Sequence, residues 1–186
     1  MLRKSRNPPA RFPGDRPLDK ADGKWWIAKV KPRQEKLLAF DLIEANIEYY
    51  LPMYTKVTLR RGSKKRRTSI LPLFPGYICF AQDVPQNIYS TGRVVRLIQV
   101  KIQDRFIREL IQIERALLNG YALTPVNEKF TIEEEVEVAV GSLQGIRGTI
   151  ASIRSDRKLL LTVEGLGKAT LEIEMYMVKK VAGKKR

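Results

Sequence analysis

Trp25-Trp26-Ile27-Ala28-Lys29-Val30 is bulky and apolar enough for a buried strand, and Pro32 just after it suits the first turn of a helix. That helix is predicted from Arg33 to Ala45, where Leu37, Leu38, Phe40, Leu42 and Ile43 form the broad apolar face of a helix lying on a sheet. Tyr49-Tyr50-Leu51 leads past a break at Pro52 into Met53, Thr55, Val57 and Leu59, which alternate with Tyr54, Lys56, Thr58 and Arg60 in the period of a strand. A hairpin tip from Arg60 to Arg67 follows, and the return strand, interrupted by Pro72 and Pro75, ends in Tyr77-Ile78-Cys79-Phe80. Pro85 can open a short helix over Gln86 to Ser90, and Val94 to Ile102 again alternates. Asp104 is placed to cap a second long helix whose apolar face holds Phe106, Ile107, Leu110, Ile111, Leu117 and Leu118, with Gly120 to stop it. Helices with single apolar stripes must cover a sheet, so residues 25–120 are expected to fold as a ferredoxin-like α/β sandwich within an α+β chain.

The flanks differ in character. Residues 1–24 carry seven basic residues and four prolines without periodicity and are expected to form a disordered basic leader. Residues 121–132, with Pro125 and Asn127, read as a linker. From residue 133 the pattern is all-β: Val136, Val138 and Val140 alternate, and Gly141 and Gly145 to Gly148 supply turns. Short strands at Leu159 to Val163 and Ala169 to Ile173 follow, divided at Gly165 and Gly167. A small barrel over residues 133–186, ending in a basic tail, is the expected solution because closure removes open edges.

The 186 residues, 44% of them hydrophobic, are enough for one domain or two small ones. Thirty-five Lys and Arg against twenty Asp and Glu give +15, which points to a polyanionic partner. There is no histidine, which excludes any mechanism needing an imidazole base or ligand. The one cysteine, Cys79, can form neither an internal disulfide nor a multi-Cys zinc site, and between Ile78 and Phe80 it reads as a small core residue. Neither a membrane span nor a signal peptide is apparent, so a cytoplasmic protein without membrane association is expected. No phosphate-binding or dinucleotide fingerprint occurs, Gly165-Leu166-Gly167 lacks the strand-to-helix setting, and Glu133-Glu134-Glu135 read as a solvated linker end. No catalytic residue, metal or cofactor is expected.

Two features could carry binding. Residues 25–126 hold seventeen basic and eight acidic residues, and six of the eight from Arg60 to Arg67 are basic: Arg60, Arg61, Lys64, Lys65, Arg66 and Arg67. Such a tip would lie on phosphates with salt-dependent affinity, or stand as a solvated, repulsive loop; no recognition helix suggests sequence-specific readout. Pro72-Leu73-Phe74-Pro75-Gly76-Tyr77 is a bent edge strand or bulge whose large side chains either pack in the core or form an exposed docking patch.

Trp25 to Val30, Pro32-Arg33-Gln34-Glu35 opening a helix, Tyr50-Leu51-Pro52 and Leu73-Phe74-Pro75-Gly76-Tyr77 together resemble the amino-terminal (NGN) domain of NusG-type transcription elongation factors. The carboxy-terminal part is similar to that family's KOW domain, an SH3-like β-barrel, through Val136 to Gly141, Leu143 to Ile150 and Leu166-Gly167-Lys168-Ala169-Thr170. The resemblance implies a monomer that rides on bacterial RNA polymerase, in the cytoplasm and on the nucleoid during transcription, bridging the main channel so that pausing is reduced. It implies an apolar pocket for the polymerase clamp helices with Phe74 and Tyr77, and Trp26 nearby, while Gln86 and Asn87 approach the opposite side of the channel. Lys31, Arg33, Lys36 and Arg93 would face non-template DNA, where charge and stacking act without strict sequence demand. The basic tip would reach upstream DNA or nascent RNA.

The KOW domain would recruit a small-subunit ribosomal protein or Rho through the turn carrying Leu166, an apex residue that either docks or is simply tolerated in water. Gly141-Ser142-Leu143 stands where the general factor typically has Gly-Pro-Phe, and the basic tip and leader exceed its minimal form. These departures favour a specialised, operon-targeted paralogue that promotes processive antitermination over the general factor. A KOW-bearing ribosomal or RNA-binding protein is the alternative, and a generic protein-docking module is a further one.

Overall fold

The computed structural model describes residues 7–59, 66–126, 131–153 and 156–181. The chain divides into two compact units, Met1–Arg105 and Phe106–Arg186.

In the first unit the strands are β1 (Arg11–Phe12), β2 (Trp25–Val30), β3 (Glu48–Tyr50), β4 (Met53–Leu59), β5 (Arg66–Pro72), β6 (Tyr77–Ala81) and β7 (Val94–Gln99), with helix α1 (Glu35–Glu44) after β2. One sheet has the antiparallel order β1-β3-β6-β2-β7, and β4 and β5 form a separate two-stranded ribbon. A six-residue 3-10 helix, Gln86–Thr91, stands between β6 and β7. The sequence of elements from β2 to β7, with β2 and β6 central, is the ferredoxin-like arrangement expected.

Alternation decides the two faces. Ala28 and Val30 of β2, Ile78 and Phe80 of β6 and Tyr49 of β3 share a core with Leu38, Ala39 and Leu42 of α1, and Trp26 and Leu97 pack against it half-buried. The other face carries Trp25, Ile27 and Cys79, all buried. Burial pushes the Cys79 thiol pKa far up, as befits a small core residue.

Two expectations are corrected here. The leader, from Asn7 on, does not read as disordered: β1 pairs with β3, the Phe12 ring stacks on Tyr49 at 6.4 Å, and buried Leu18 lies in a 3-10 turn whose carbonyl accepts the Trp25 indole N–H. Two apolar side chains among the prolines are enough to fasten it to the sheet. Helix α1 starts at Glu35 rather than Arg33, because Arg33 takes a left-handed conformation with φ 64°. The tip residues Arg60, Arg61, Lys64 and Lys65 lie outside the described residues; Arg66 and Arg67 are exposed on β5.

Helix α2 (Gln103–Leu118) begins in the first unit and continues through the second, and Gly120, at φ 78°, ends it. The sequence placed the whole helix with the first domain, yet its residues from Phe106 on group with the second. The reason is visible on one edge: Gln112 accepts from the Arg147 N–H at 2.6 Å, Glu109 from the Glu164 N–H at 2.8 Å, and Arg115 donates to the Gln144 carbonyl at 3.0 Å. These side chains satisfy backbone groups of turns in the second sheet.

That sheet has the order β13-β9-β10-β11-β12-β8, from β8 (Thr124–Pro125), β9 (Thr131–Val138), β10 (Arg147–Ile153), β11 (Asp156–Val163), β12 (Gly167–Leu171) and β13 (Val178–Lys180). The order has two ends, so the closed barrel expected from the sequence is not found among the described residues. Within the expected linker, Thr124 and Pro125 pair with β12 and Leu123 is buried; residues 127–130 lie outside the described residues, as does the basic tail at 182–186. Glu133, Glu134 and Glu135 belong to β9 rather than to a solvated linker end.

Strand β9 is acidic between basic neighbours. Glu137 accepts from Arg147 at 2.7 Å and pairs with Lys179 at 3.0 Å; Glu133 accepts from Ser152 and, at 2.7 Å, from Arg157; Glu134 pairs with Lys180 at 2.8 Å. The hydrogen bonds from Arg147 and then Lys179 hold the Glu137 carboxyl below its ordinary 4.5, and those from Ser152 and then Arg157 do the same for Glu133. A depressed carboxylate stabilises the fold above its unfolded pKa and loses that contribution as pH falls through the folded value. The denaturant midpoint of the second unit is therefore expected to hold constant from neutrality to about pH 5 and to fall below 4.5. Glu137→Gln should flatten that fall, as measured by circular dichroism across the pH series.

Candidate functional surface

The turn of Leu73-Phe74-Pro75-Gly76 is built by neighbours that the local sequence does not reveal. The Leu73 N–H donates to the Pro52 carbonyl at 2.8 Å, and the Tyr77 N–H closes back on the Phe74 carbonyl at 3.2 Å. Gly76 takes φ 86°, a conformation open to glycine, and is held from both sides. Its carbonyl accepts from the Val30 N–H at 2.8 Å, while its N–H donates to the Glu35 carboxylate at 2.7 Å. Glu35 is buried, although it opens a helix whose first turn ordinarily faces water. The turn is thus fastened to the end of β2 and the start of α1 at once.

Glu35→Ala removes the acceptor and leaves the Gly76 N–H without a partner inside the protein. The expected loss is about 1–3 kcal/mol, and Glu35→Gln, which keeps an amide oxygen, should lose less. A lowered denaturant midpoint with unchanged slope checks it.

This construction buries Phe74, which is 5% exposed, so its side chain is a core group rather than the open contact that the resemblance implied. Two prolines bend the chain sharply enough to turn this ring inward. Tyr77, the first residue of β6, stays half-buried and reachable. Trp26 is also half-buried, with its indole N–H on the Gln82 carbonyl at 2.9 Å. Gln86 and Asn87 start the 3-10 helix; their side chains lie outside the described residues.

Beside the turn, the residues offered for DNA divide into two kinds. Lys31 and Arg33 are exposed. Arg93, by contrast, is committed: its guanidinium donates to Asp41 at 2.5 Å and to Gln34 at 2.6 Å, while its carbonyl accepts the Lys31 N–H at 2.9 Å. The Lys36 ammonium is likewise held by the Ile70 carbonyl at 2.5 Å and Asn7 at 2.6 Å. Burial lowers the pKa of Lys36 against the opposing pull of Glu35. Arg93 shapes the loop that presents Lys31 and Arg33, while Lys36 ties α1 to Ile70 and Asn7.

A cluster that sequence reasoning missed lies on the sheet itself. Lys29 of β2 faces Tyr77 on β6 and Arg96 on β7 in one cross-strand row, and both cations are exposed. Strand register decides which residues stand side by side, and nothing in the local pattern of β7 announces Arg96 as the neighbour of Lys29.

Residues 23–111 match the model of the family described as transcription termination factor NusG. No curated protein matches the chain. The NusG-type stretch is just under half of the chain and holds β2, α1, the Phe74 to Tyr77 turn, β7 and the first half of α2. Its likeness to NusG supports a role in transcription. The sheet from Thr131 to Lys180 lies beyond the match, and Leu166, expected to stand exposed at a hairpin apex, is buried at 8% exposure. The adjoining Glu164 N–H is taken by Glu109, so this turn is held from α2 instead of projecting into water. Among the described residues no helix is long and apolar enough to cross a membrane, and no group of three or more acidic, Cys or His side chains could hold a metal.

Proposed function

We propose that this chain is a NusG-type elongation factor that binds bacterial RNA polymerase through its amino-terminal unit, reduces pausing and promotes processive antitermination. The observation that carries the reading is the NusG match over residues 23–111, within which the Phe74 to Tyr77 turn is locked to α1 and β2. Tyr77 docks on the clamp helices, and Phe74 supports the turn that carries it; Trp26, which packs on the α1 side of the sheet, stands apart from Tyr77. The chain segment of Gln86 and Asn87 approaches the other side of the channel. Lys31 and Arg33 lie along non-template DNA, and the basic residues Arg60, Arg61, Lys64 and Lys65, which precede β5 in the sequence, together with Arg66 and Arg67 of β5, reach upstream DNA or nascent RNA.

The second unit acts as a KOW-type module that recruits a small-subunit ribosomal protein or Rho. The basic ribbon supports a specialised, operon-targeted paralogue. In single-round transcription with bacterial core polymerase, the chain is expected to shorten pauses and raise terminator read-through. Unchanged elongation, together with tight binding to structured RNA in the absence of polymerase, would overturn the reading in favour of an RNA-binding protein.

A further inference from the structure

Two cations directly opposite one another on adjacent strands repel and lower sheet stability, so the pair Lys29 and Arg96 costs the fold something. Neither makes an ion pair with any other described residue, and their row holds no carboxylate: it runs from Arg96 on the edge strand β7 through Lys29 to Tyr77. The next row along the same face is Ile98, Ile27 and Cys79, entirely apolar. The surface is therefore a short cationic pair with an aromatic ring at one end and apolar packing behind it.

We propose that Lys29 and Arg96 form the charged half of the polymerase-docking face and receive carboxylates of an acidic segment on the polymerase element that Tyr77 contacts. This inference rests on the polymerase reading and adds the chemistry of the partner. Arg and Tyr side by side are a common composition of interface hot spots, and a cationic row at the rim of a docking face is complemented by opposite charge on the partner. A nucleic-acid strand would instead call for a continuing track of cations, and the row ends after two; Lys31 lies past a register irregularity between Lys29 and Val30. An anion bridging the pair relieves the repulsion between them, so the partner gains from a cost already present in the free protein.

The test is an equilibrium titration of full-length protein with bacterial core RNA polymerase at about 50 and 200 mM salt. It compares wild type, Tyr77→Ala, the double variant Lys29→Glu with Arg96→Glu, and the milder Lys29→Gln with Arg96→Gln, each checked for folding by circular dichroism. Wild-type binding should weaken with salt, the Glu pair should lose at least about tenfold, and the Gln pair should bind more weakly with a shallower salt dependence. If both charge variants bind as wild type while Tyr77→Ala loses binding, the acidic partner is wrong and the polymerase reading stands. If none of the variants changes binding, the docking face as a whole is wrong. If the charge variants keep polymerase but lose a single-stranded oligonucleotide, the row is a nucleic-acid contact and the proposal is overturned.

Discussion

Phe74→Ala is expected to destabilise the first unit by about 3–5 kcal/mol, because it empties a site that the backbone has closed around. The ring is 5% exposed and its neighbour Leu73 is fully buried. The turn that carries both is fastened to Pro52, Val30 and Glu35, so it has little freedom to collapse into the space left behind. Chemical denaturation should show a large fall in midpoint. Any loss of polymerase binding by this variant would report unfolding as much as a missing contact. Tyr77→Ala acts on a half-buried ring at the start of β6 and is the cleaner probe of the surface.

The second large effect lies in the other unit. A Cβ added at Gly148 would sit 2.6 Å from the Leu160 carbonyl oxygen and 2.9 Å from the Leu159 side chain, closer than real Cβ contacts come. Gly148 stands in β10 opposite Val136 of β9, where glycine admits a close approach by β11. The atom in the way is backbone, so β10 and β11 must move apart. Gly148→Ala is expected to cost about 1–3 kcal/mol or more, read as a lowered melting temperature with the first unit's midpoint unchanged.

Much of the first unit was legible because its signals are local and strong. The bulky apolar run of β2 marks a strand buried on both faces, and the stripe of Leu38 and Leu42 on α1 and the apolar face of α2 each follow a period that side-chain burial imposes. The exposure of Arg66 and Arg67 on β5 was legible from their charge. What stayed hidden depends on contacts far apart in sequence. Gln112 reaches Arg147 and Glu109 reaches Glu164, so no window along the chain could tell which sheet α2 serves.

The same holds for the surface. Leu166 between two glycines reads as an exposed apex, and burial by the folded unit reverses that. Phe74 reads as core from the residues themselves and as a contact only through the resemblance, and the folded turn buries it. Gly148 was grouped with turn glycines although it stands within a strand. Glu35 left a faint signal, an acid in the first turn of a helix, which the helix dipole alone would explain; its bond to Gly76 could not be foreseen.

The most direct test of the central claim is co-sedimentation of the full-length protein with bacterial core RNA polymerase, alone and as an assembled elongation complex, with Tyr77→Ala alongside. The account predicts that wild type travels with polymerase and that the folded variant stays behind. Wild type remaining in the supernatant with both forms of the enzyme would contradict it.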